Sequence, residues 1–233
     1  MPKETKKQKF VKEVLSRLRT VFPTVKCALY HENALQLLVA TILSAQCTDK
    51  RVNMVTPKLF KRFPGAEDFA RADITELEMY VRSTGFYKNK AKNIKAAARK
   101  IVDDFGGKVP RKMEDLIKLP GVARKTANVV LAVWYGIMDG IVVDTHVTRI
   151  SNLLGLTKSK NAVVIERELM KVVPEKDREY ISLAFIEHGR KTCIARRPQC
   201  HNCVLNDTCP SAFLKKAGYK APIPGRVVRE KRK

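Results

Sequence analysis

The sequence has no apolar run long enough to cross a membrane. A membrane span needs about 18 consecutive apolar residues, and no such stretch occurs. The charged N-terminal segment MPKETKKQK is not followed by the apolar region of a secretory signal. We therefore expect a soluble, cytoplasmic protein with no membrane partner.

Acidic residues are few compared with basic ones. Lysine and arginine number 46 against 23 aspartates and glutamates, which gives a formal net charge of +23. Such self-repulsion is costly unless a polyanion neutralises it, and nucleic acid is the commonest polyanionic partner. Ribosomal proteins and basic membrane-surface proteins are equally positive, so charge favours nucleic acid without specifying an activity.

Patterns typical of β-strands are also nearly absent, since the apolar run at 141–143 is too short to count. Apolar residues recur instead at helical spacings of three and four. The clearest stripes comprise Val11, Val14, Leu15, Leu18, Val21 and Phe22, then Leu35, Leu38, Val39, Ile42 and Leu43, then Ala91, Ile94, Ala97, Ala98, Ile101, Val102 and Phe105. We predict an all-α fold in which the segment 34–43 is a central, buried helix.

Four of the six cysteines fall within residues 193–209, with the spacing C-x6-C-x2-C-x5-C. Without a secretion signal, such a cluster indicates a metal site before it indicates disulfides. Structural zinc sites usually offer two C-x2-C pairs, and only one is present, so the spacing favours a [4Fe–4S] cluster, with zinc as the alternative. The predicted ligands are Cys193, Cys200, Cys203 and Cys209.

Two arginines, Arg196 and Arg197, lie between the first two of these cysteines. A loop held at both ends by metal ligands would present their charges to DNA phosphates. The simpler alternative is that they offset the negative charge of the cluster.

The segment 119–127, LPGVARKTA, predicts a tight turn between two helices. A short helix at 113–118 should end before Pro120, and Gly121 permits the turn that leads into a long helix. Small side chains at Gly121 and Ala123 would let the backbone approach a partner, and N–H groups at the new helix's start can bind a phosphate. A plain connection between two helices is the alternative.

Lys125 and Asp144 are candidate catalytic residues, each with an ordinary alternative. Lys125 lies in the first turn of a predicted helix, where the dipole favours a neutral, nucleophilic amine that can form a Schiff base. Most lysines in basic proteins merely face solvent. Asp144 precedes another helix and is most simply its N-cap, but its ionised carboxylate could also stabilise oxocarbenium-like charge on a sugar.

Together these features resemble the endonuclease III family of helix-hairpin-helix DNA glycosylases. The motifs occur in the family's order: LSAQCTD at 43–49, GFY at 85–87, KAKNI at 90–94, the hairpin at 119–127, VDTH at 143–146 and the cysteine loop. The resemblance implies two helical domains flanking a DNA-binding cleft. One is a six-helix domain at 31–139, and the other joins 1–30 to 140–213 around the cluster; a basic, mobile tail at 214–233 would follow.

The resemblance also implies an activity. It predicts a monomeric, nucleoid-associated glycosylase and AP lyase of base excision repair that acts on double-stranded DNA. Lys125 would be the nucleophile and Asp144 its essential carboxylate partner, removing oxidised pyrimidines and cutting the strand 3′ to the abasic site by β-elimination. Flipping the damaged base out of the stack would precede this chemistry.

Further site residues follow from the same resemblance. Gln46 would fill the gap left by the flipped nucleotide, and Phe86 stands where the family usually has a leucine wedge, although packing is an alternative for both. The remaining predicted DNA-binding residues are Gly121, Ala123, Arg124, Arg196 and Arg197, and the possible pocket residues are Ser44, Asp49 and His146. Ala123 departs from the glycine that is usual in the hairpin.

Three alternative functions can be weighed against this prediction, and the sequence opposes the first of them. An adenine glycosylase of the same superfamily would lack the lysine that this chain has at 125. A glycosylase for ultraviolet pyrimidine dimers would share that lysine. A non-catalytic iron–sulfur protein that senses DNA damage would not depend on Lys125 at all.

Overall fold

The computed structural model describes residues 3–212, and all the regular secondary structure in this range is helical. Eleven α-helices and three short 3₁₀ helices occur there, with no β-strand, which confirms the all-α prediction. No helix among the described residues is both long and apolar enough to span a membrane. The basic tail predicted at 214–233 lies outside the described residues.

The chain forms two compact units. One is Cys27–Asp139, and the other contains the described residues up to Lys26 and from Gly140 onward. The division therefore falls slightly before residue 31, the boundary that the resemblance implies.

The unit Cys27–Asp139 contains seven α-helices around one apolar core. They are α2 (Ala34–Leu43), α3 (Asp49–Arg62), α4 (Ala66–Arg71), α5 (Ile74–Val81), α6 (Tyr87–Phe105), α7 (Met113–Leu116) and α8 (Arg124–Tyr135), with a 3₁₀ helix at Arg82–Thr84. Most of these helices are short, and short helices are only marginally stable in isolation. Their stability in the protein therefore depends more on packing than on intrinsic helix propensity. Helix α2 packs against α3, α6 and α8, and eight of its ten residues are buried, as the apolar run predicted.

Helix starts in this unit follow from capping side chains. The Asn33 side chain accepts a hydrogen bond from the Gln36 backbone N–H at the start of α2, and Thr48 accepts one from Arg51 at the start of α3. Such caps satisfy backbone donors that have no partner within the helix. They fix where α2 and α3 begin, and the Thr48 cap therefore sets the end of the loop that joins these helices.

The other unit contains four α-helices around a separate core. They are α1 (Lys6–Val21), α9 (Thr145–Leu153), α10 (Ala162–Met170) and α11 (Arg178–Lys191), with 3₁₀ helices at Glu175–Asp177 and Cys200–Asn202. The first predicted stripe is buried along α1 except for Val21, which is exposed. Helix α1 ends there, and the non-helical backbone of Phe22 turns that aromatic side chain into the core instead.

Candidate functional site

The loop that follows α2 presents Gln46 in an unusual backbone conformation. Gln46 is exposed and has a φ of 53°, in the left-handed region. Ser44 is half-buried, and its hydroxyl donates a 2.8 Å hydrogen bond to the Thr41 carbonyl. Asp49 is the first residue of α3. Of these residues, Gln46 is therefore the side chain that the loop offers to a partner.

Phe86, immediately before α6, has the same unusual conformation. Its φ is 48°, and 64% of its surface is exposed. Within the described residues, Gln46 and Phe86 are the two non-glycine residues with positive φ. This conformation costs on the order of 1–3 kcal/mol and persists where the surroundings enforce it, commonly at functional sites. Because the Phe86 side chain is exposed and its backbone is strained, packing is a poor explanation for this residue.

The hairpin between α7 and α8 depends on a glycine at 121. Gly121 has a φ of +76°, and a Cβ built there would lie 2.8 Å from the Cβ of Asn93 on α6. Both the conformation and the space therefore require glycine. Helix α7 ends at Leu116 and not at Lys118 as predicted, because bonds from Lys118 N–H to Asp115 and from Leu119 N–H to Leu116 tighten the chain into i→i+3 turns.

Lys125 is the second residue of α8 and is exposed to solvent. The N-cap residue is Ala123, which offers no side-chain hydrogen bond to the first turn. Arg124, the first helical residue, is exposed as well. The hairpin thus leads into the start of α8, which has no side-chain cap and carries two exposed cations.

Asp144 caps α9, as its simplest interpretation predicted. Its carboxylate accepts a 2.8 Å hydrogen bond from the Val147 backbone N–H. His146, in the first turn, is half-buried, and burial lowers its pKa despite the opposing influence of Asp144, which favours the neutral ring. Asp144 itself is half-buried and therefore retains access to a partner.

The four predicted cysteine ligands line one cavity of about 410 Å³. Among the residues that the structure describes, no three His, Cys, Asp or Glu side chains converge as they would around a single metal ion. Four thiols spread around a shared cavity suit a multi-iron cluster, in which each iron takes its own sulfur ligand. The donor set therefore fits an iron–sulfur cluster.

The surroundings of these thiols are suited to a charged group. Burial raises the pKa of Cys203 to about 12, so its thiolate form requires a nearby cation. The Leu205 backbone N–H donates to the Cys203 sulfur at 3.4 Å, a contact that stabilises a thiolate. Arg149 of α9 donates to the Cys193 carbonyl at 2.7 Å and to the Gly189 carbonyl at 3.2 Å, which joins α9 to the cysteine segment.

The loop that carries Arg196 and Arg197 is closed at its base. The Gln199 backbone N–H donates to the Thr192 carbonyl at 2.8 Å. Both arginines are exposed. The loop therefore has a closed base and two exposed arginines, of which Arg196 also lines the cysteine cavity.

The predicted site residues are divided between the two units. Gln46, Phe86 and the hairpin with Lys125 lie in Cys27–Asp139, whereas Asp144 and the cysteine segment lie in the other unit. Sequence reasoning missed the positioning contacts of Arg149 and the close approach at Gly189, where a Cβ would lie 2.5 Å from His146 Nδ1. The only sequence signal for these contacts is the spacing of His146 and Arg149, which lie three residues apart and therefore on the same face of one helix.

Comparison with known families and structures decides the identity of the chain. Residues 39–175 match the model for the HhH-GPD superfamily of base excision DNA repair proteins, and residues 193–209 match the iron–sulfur binding domain of endonuclease III. Over 208 residues the chain is 55% identical to an endonuclease III of Synechocystis sp., which covers 89% of this chain and 94% of that relative. The chain belongs to the endonuclease III family.

Solved structures agree with this assignment. A non-covalent endonuclease III–DNA complex superposes with a TM-score of 0.85 at 38% identity, covering 90% of this chain and 98% of that one. A trapped endonuclease III–DNA covalent intermediate gives a TM-score of 0.84 at 40% identity, with the same coverage.

Family membership confirms several of the predictions. The protein is a base excision repair DNA glycosylase with AP lyase activity, and its partner is double-stranded DNA. Its cofactor is a [4Fe–4S] cluster, in agreement with the prediction from cysteine spacing. An enzyme is thus favoured over a non-catalytic damage sensor.

Proposed function

We propose that this endonuclease III family member removes oxidised pyrimidines from duplex DNA through a Schiff base on Lys125. It then cuts the strand 3′ to the resulting abasic site by β-elimination. The observation that carries this proposal is the position of Lys125, an exposed amine in the first turn of α8 directly after the hairpin. A relative 40% identical to this chain has been trapped as a covalent intermediate with DNA, which requires a nucleophilic side chain.

The reaction begins when the Lys125 amine attacks C1′ of the damaged nucleotide. The C1′–N bond breaks, the base leaves with the bonding electrons and takes up a proton, and the amine loses its own proton. Opening of the sugar ring leaves a C1′=N Schiff base. This group acidifies C2′, so loss of a C2′ proton expels the 3′ phosphate, and water then hydrolyses the Schiff base to regenerate the amine.

Asp144 supplies the negative charge that this sequence needs. Positive charge develops on the sugar as the base departs, and an ionised carboxylate stabilises it. Its capping bond to the Val147 N–H holds the carboxylate in one orientation. Capping and catalysis therefore use the same side chain without conflict.

Base extrusion and DNA binding are assigned to other residues. Gln46 fills the space of the extruded nucleotide, and Phe86 inserts beside it, where a flat ring can stack on bases. Hairpin residues Gly121, Ala123 and Arg124 contact phosphates, as do Arg196 and Arg197 of the cysteine loop. Ser44, Asp49 and His146 are assigned to recognition of the extruded base.

The cysteines Cys193, Cys200, Cys203 and Cys209 hold the cluster. When bound, the cluster ties four points of the segment 193–209 to one centre and fixes the base of the arginine loop. We further propose that the protein works on nucleoid DNA in the cytoplasm.

The lysine assignment is tested by borohydride trapping on duplex DNA that contains thymine glycol. Hydride reduces the C=N bond to a stable C–N bond, so a protein–DNA complex survives denaturing electrophoresis. We expect a complex with the unmodified chain and none with Lys125→Gln. Lys118→Gln is the matched control, because Lys118 is an exposed lysine of the same hairpin that pairs with Asp115 at 2.9 Å.

The outcomes separate the candidate functions. Retained trapping in Lys125→Gln would assign the nucleophile elsewhere. A second duplex containing a pyrimidine dimer distinguishes lesion classes, and preferential trapping on the dimer would replace oxidised pyrimidines as the proposed substrate. Base release without any trapped complex would contradict the Schiff base itself.

A further inference from the structure

Lys90 is a buried lysine to which the reaction assigns no role. It lies in the first turn of α6, and only 4% of its surface is exposed. Burying an ammonium group is costly unless its N–H donors find acceptors. Burial lowers the pKa of Lys90, with Cys47 acting in the opposite direction. The burial of Lys90 on a helix that also has exposed faces therefore needs an explanation.

The Lys90 ammonium joins the ends of two different elements. Its Nζ donates to the Leu43 carbonyl at 2.8 Å and to the Thr84 carbonyl at 2.7 Å. Leu43 is the last residue of α2, and Thr84 is the last residue of the 3₁₀ helix before α6. Carbonyls at helix ends have no partner within the helix, so the lysine satisfies groups that would otherwise be buried and unpaired.

These two carbonyls stand just before the two strained residues. Gln46 is three residues after Leu43, and Phe86 is two residues after Thr84. The backbone N–H of Lys90 also donates to the Phe86 carbonyl at 3.1 Å. One residue thus holds both loops whose backbones adopt positive φ, and such conformations persist only where surrounding contacts enforce them.

We propose that Lys90 is a positioning residue that sets the relative placement of Gln46 and Phe86 for extrusion of the damaged base. Through it, the loop after α2 and the loop before α6 move as one body. This inference rests on the proposed function, since it takes Gln46 and Phe86 as the residues that enter the DNA helix. Lys90 contacts neither the substrate nor the reacting atoms.

A second lysine of α6 provides a matched comparison. Lys95 is half-buried, and its Nζ donates to the Ala72 carbonyl at 2.7 Å, at the C-terminal end of α4. The bond is of the same kind, from the same helix to a helix-end carbonyl. Neither the end of α4 nor Ala72 lies beside a residue with positive φ.

The test compares two contexts of one lesion in single-turnover reactions. One substrate carries thymine glycol opposite adenine in a fully paired duplex, and the other carries it within a short bubble of mismatched pairs. Extrusion costs less in the bubble, so a positioning defect should appear chiefly with the paired substrate. For Lys90→Met we expect the rate ratio of paired to bubble substrate to fall by about tenfold or more, because small misplacements are costly in catalysis. Lys95→Met should leave the ratio within about twofold of the original.

The ratio does not depend on how much protein is folded, since both rates come from one sample. Lys90→Gln, which keeps a donor but shortens the side chain, is the second variant and should show a smaller fall in the same direction. An unchanged ratio in both Lys90 variants would overturn the proposal. Failure of both variants to fold would assign Lys90 to the stability of the whole unit and would overturn it as well.

Phe86→Ala separates this inference from the proposed function. If Phe86→Ala leaves the ratio unchanged, the wedge assignment fails, and the inference about Lys90 fails with it. If Phe86→Ala lowers the ratio and the Lys90 variants do not, only the positioning role is overturned.

Discussion

At the residue scale, we propose that Asp144 combines capping of α9 with catalysis, two functions that depend on different properties of one side chain. Capping of α9 needs an oxygen acceptor for the Val147 N–H, which either a carboxylate or an amide supplies. Stabilisation of positive charge on the sugar needs the negative charge. Replacing the carboxylate by an amide therefore separates the two functions.

We predict that Asp144→Asn keeps the fold but loses excision. The free energy of unfolding should change by less than about 0.5 kcal/mol, because asparagine caps helices as well as aspartate does. The single-turnover excision rate should fall by about 100-fold or more through loss of charge stabilisation. Urea unfolding and excision from a thymine glycol duplex measure the two effects.

Asp73→Asn is the control for this prediction. Asp73 caps α5 in the same way, accepting a 2.9 Å hydrogen bond from the Glu76 N–H, and the account gives it no part in the reaction. Its substitution should leave both stability and excision nearly unchanged. An Asp144→Asn protein that excises at the original rate would show that Asp144 is a cap alone.

The sequence predicts residue types better than it predicts residue conformations. The motifs at 43–49 and 85–87 single out Gln46 and Phe86, but no local pattern predicts that a glutamine and a phenylalanine adopt positive φ. That conformation comes from tertiary contacts, among them the bonds of Lys90 to Leu43 and Thr84. The bond to Leu43 joins residues 47 positions apart in the chain, beyond the reach of periodicity.

At the element scale, the hairpin at 119–127 packs closely against α6 because Gly121 has no side chain. Gly121 leaves no room for a Cβ beside Asn93, and its φ of +76° is one that glycine adopts without cost. The turn and its packing therefore depend on the same residue. Since the hairpin carries Arg124 and leads into Lys125, we expect its placement to affect both DNA binding and chemistry.

We predict that Gly121→Ala destabilises the protein by about 1–3 kcal/mol, because it adds a close contact to a strained backbone. The hairpin should shift away from α6, and the affinity for undamaged duplex DNA should fall several-fold. Thermal unfolding and fluorescence anisotropy with a labelled duplex measure these changes.

Gly136→Ala is the matched control for the hairpin. Gly136 follows α8 with a φ of +65°, but nothing lies within 4 Å of a Cβ built there. Its substitution should cost about 1–2 kcal/mol from backbone strain alone and leave DNA affinity unchanged. Equal effects of the two substitutions on affinity would contradict the role assigned to the hairpin.

Helices were predicted most reliably where apolar periodicity is long and uninterrupted. The segment 34–43 forms α2 with those bounds, because nearly every side chain in it has an apolar environment to enter. The predicted helix at 113–118 is shorter in the structure, since it is a four-residue helix whose end is set by i→i+3 turns. Short elements carry too few residues for a pattern to fix their ends.

At the scale of the whole molecule, the excess of positive charge has a measurable consequence. The net charge of +23 predicts strong, salt-dependent binding to DNA, but it does not say which cations contact phosphates. The arginine loop is the clearest candidate, because a closed base presents Arg196 and Arg197 together.

We predict that replacing both Arg196 and Arg197 by alanine weakens binding to all duplex sequences alike. The slope of log affinity against log salt should fall by about 1.8 if each arginine neutralises one phosphate. The control is the substitution of both Lys158 and Lys160 by alanine. These are two exposed lysines between α9 and α10, and replacing them removes the same charge. An equal change of slope in both double variants would mean that the loop contributes only net charge.

The family could be predicted from sequence, and finer properties could not. Six motifs in a fixed order span most of the chain, and the endonuclease III relatives confirm what they indicate. Lesion preference depends on side-chain contacts with the extruded base, which motif order does not define. The cluster type could be predicted because spacing restricts how four thiols meet, whereas the Arg149 contact that joins α9 to the cysteine segment has no comparable pattern.

The central claim is that the amine of Lys125 forms the bond to DNA, and peptide mapping of the borohydride-trapped complex tests it most directly. After nuclease digestion only a sugar remnant stays attached to the protein. Trypsin cleaves after unmodified Lys125 and releases the peptide 126–149, whereas a modified Lys125 blocks that cleavage and yields the peptide 125–149. The account predicts the remnant mass on the peptide 125–149, at Lys125. A remnant on any other lysine would contradict it.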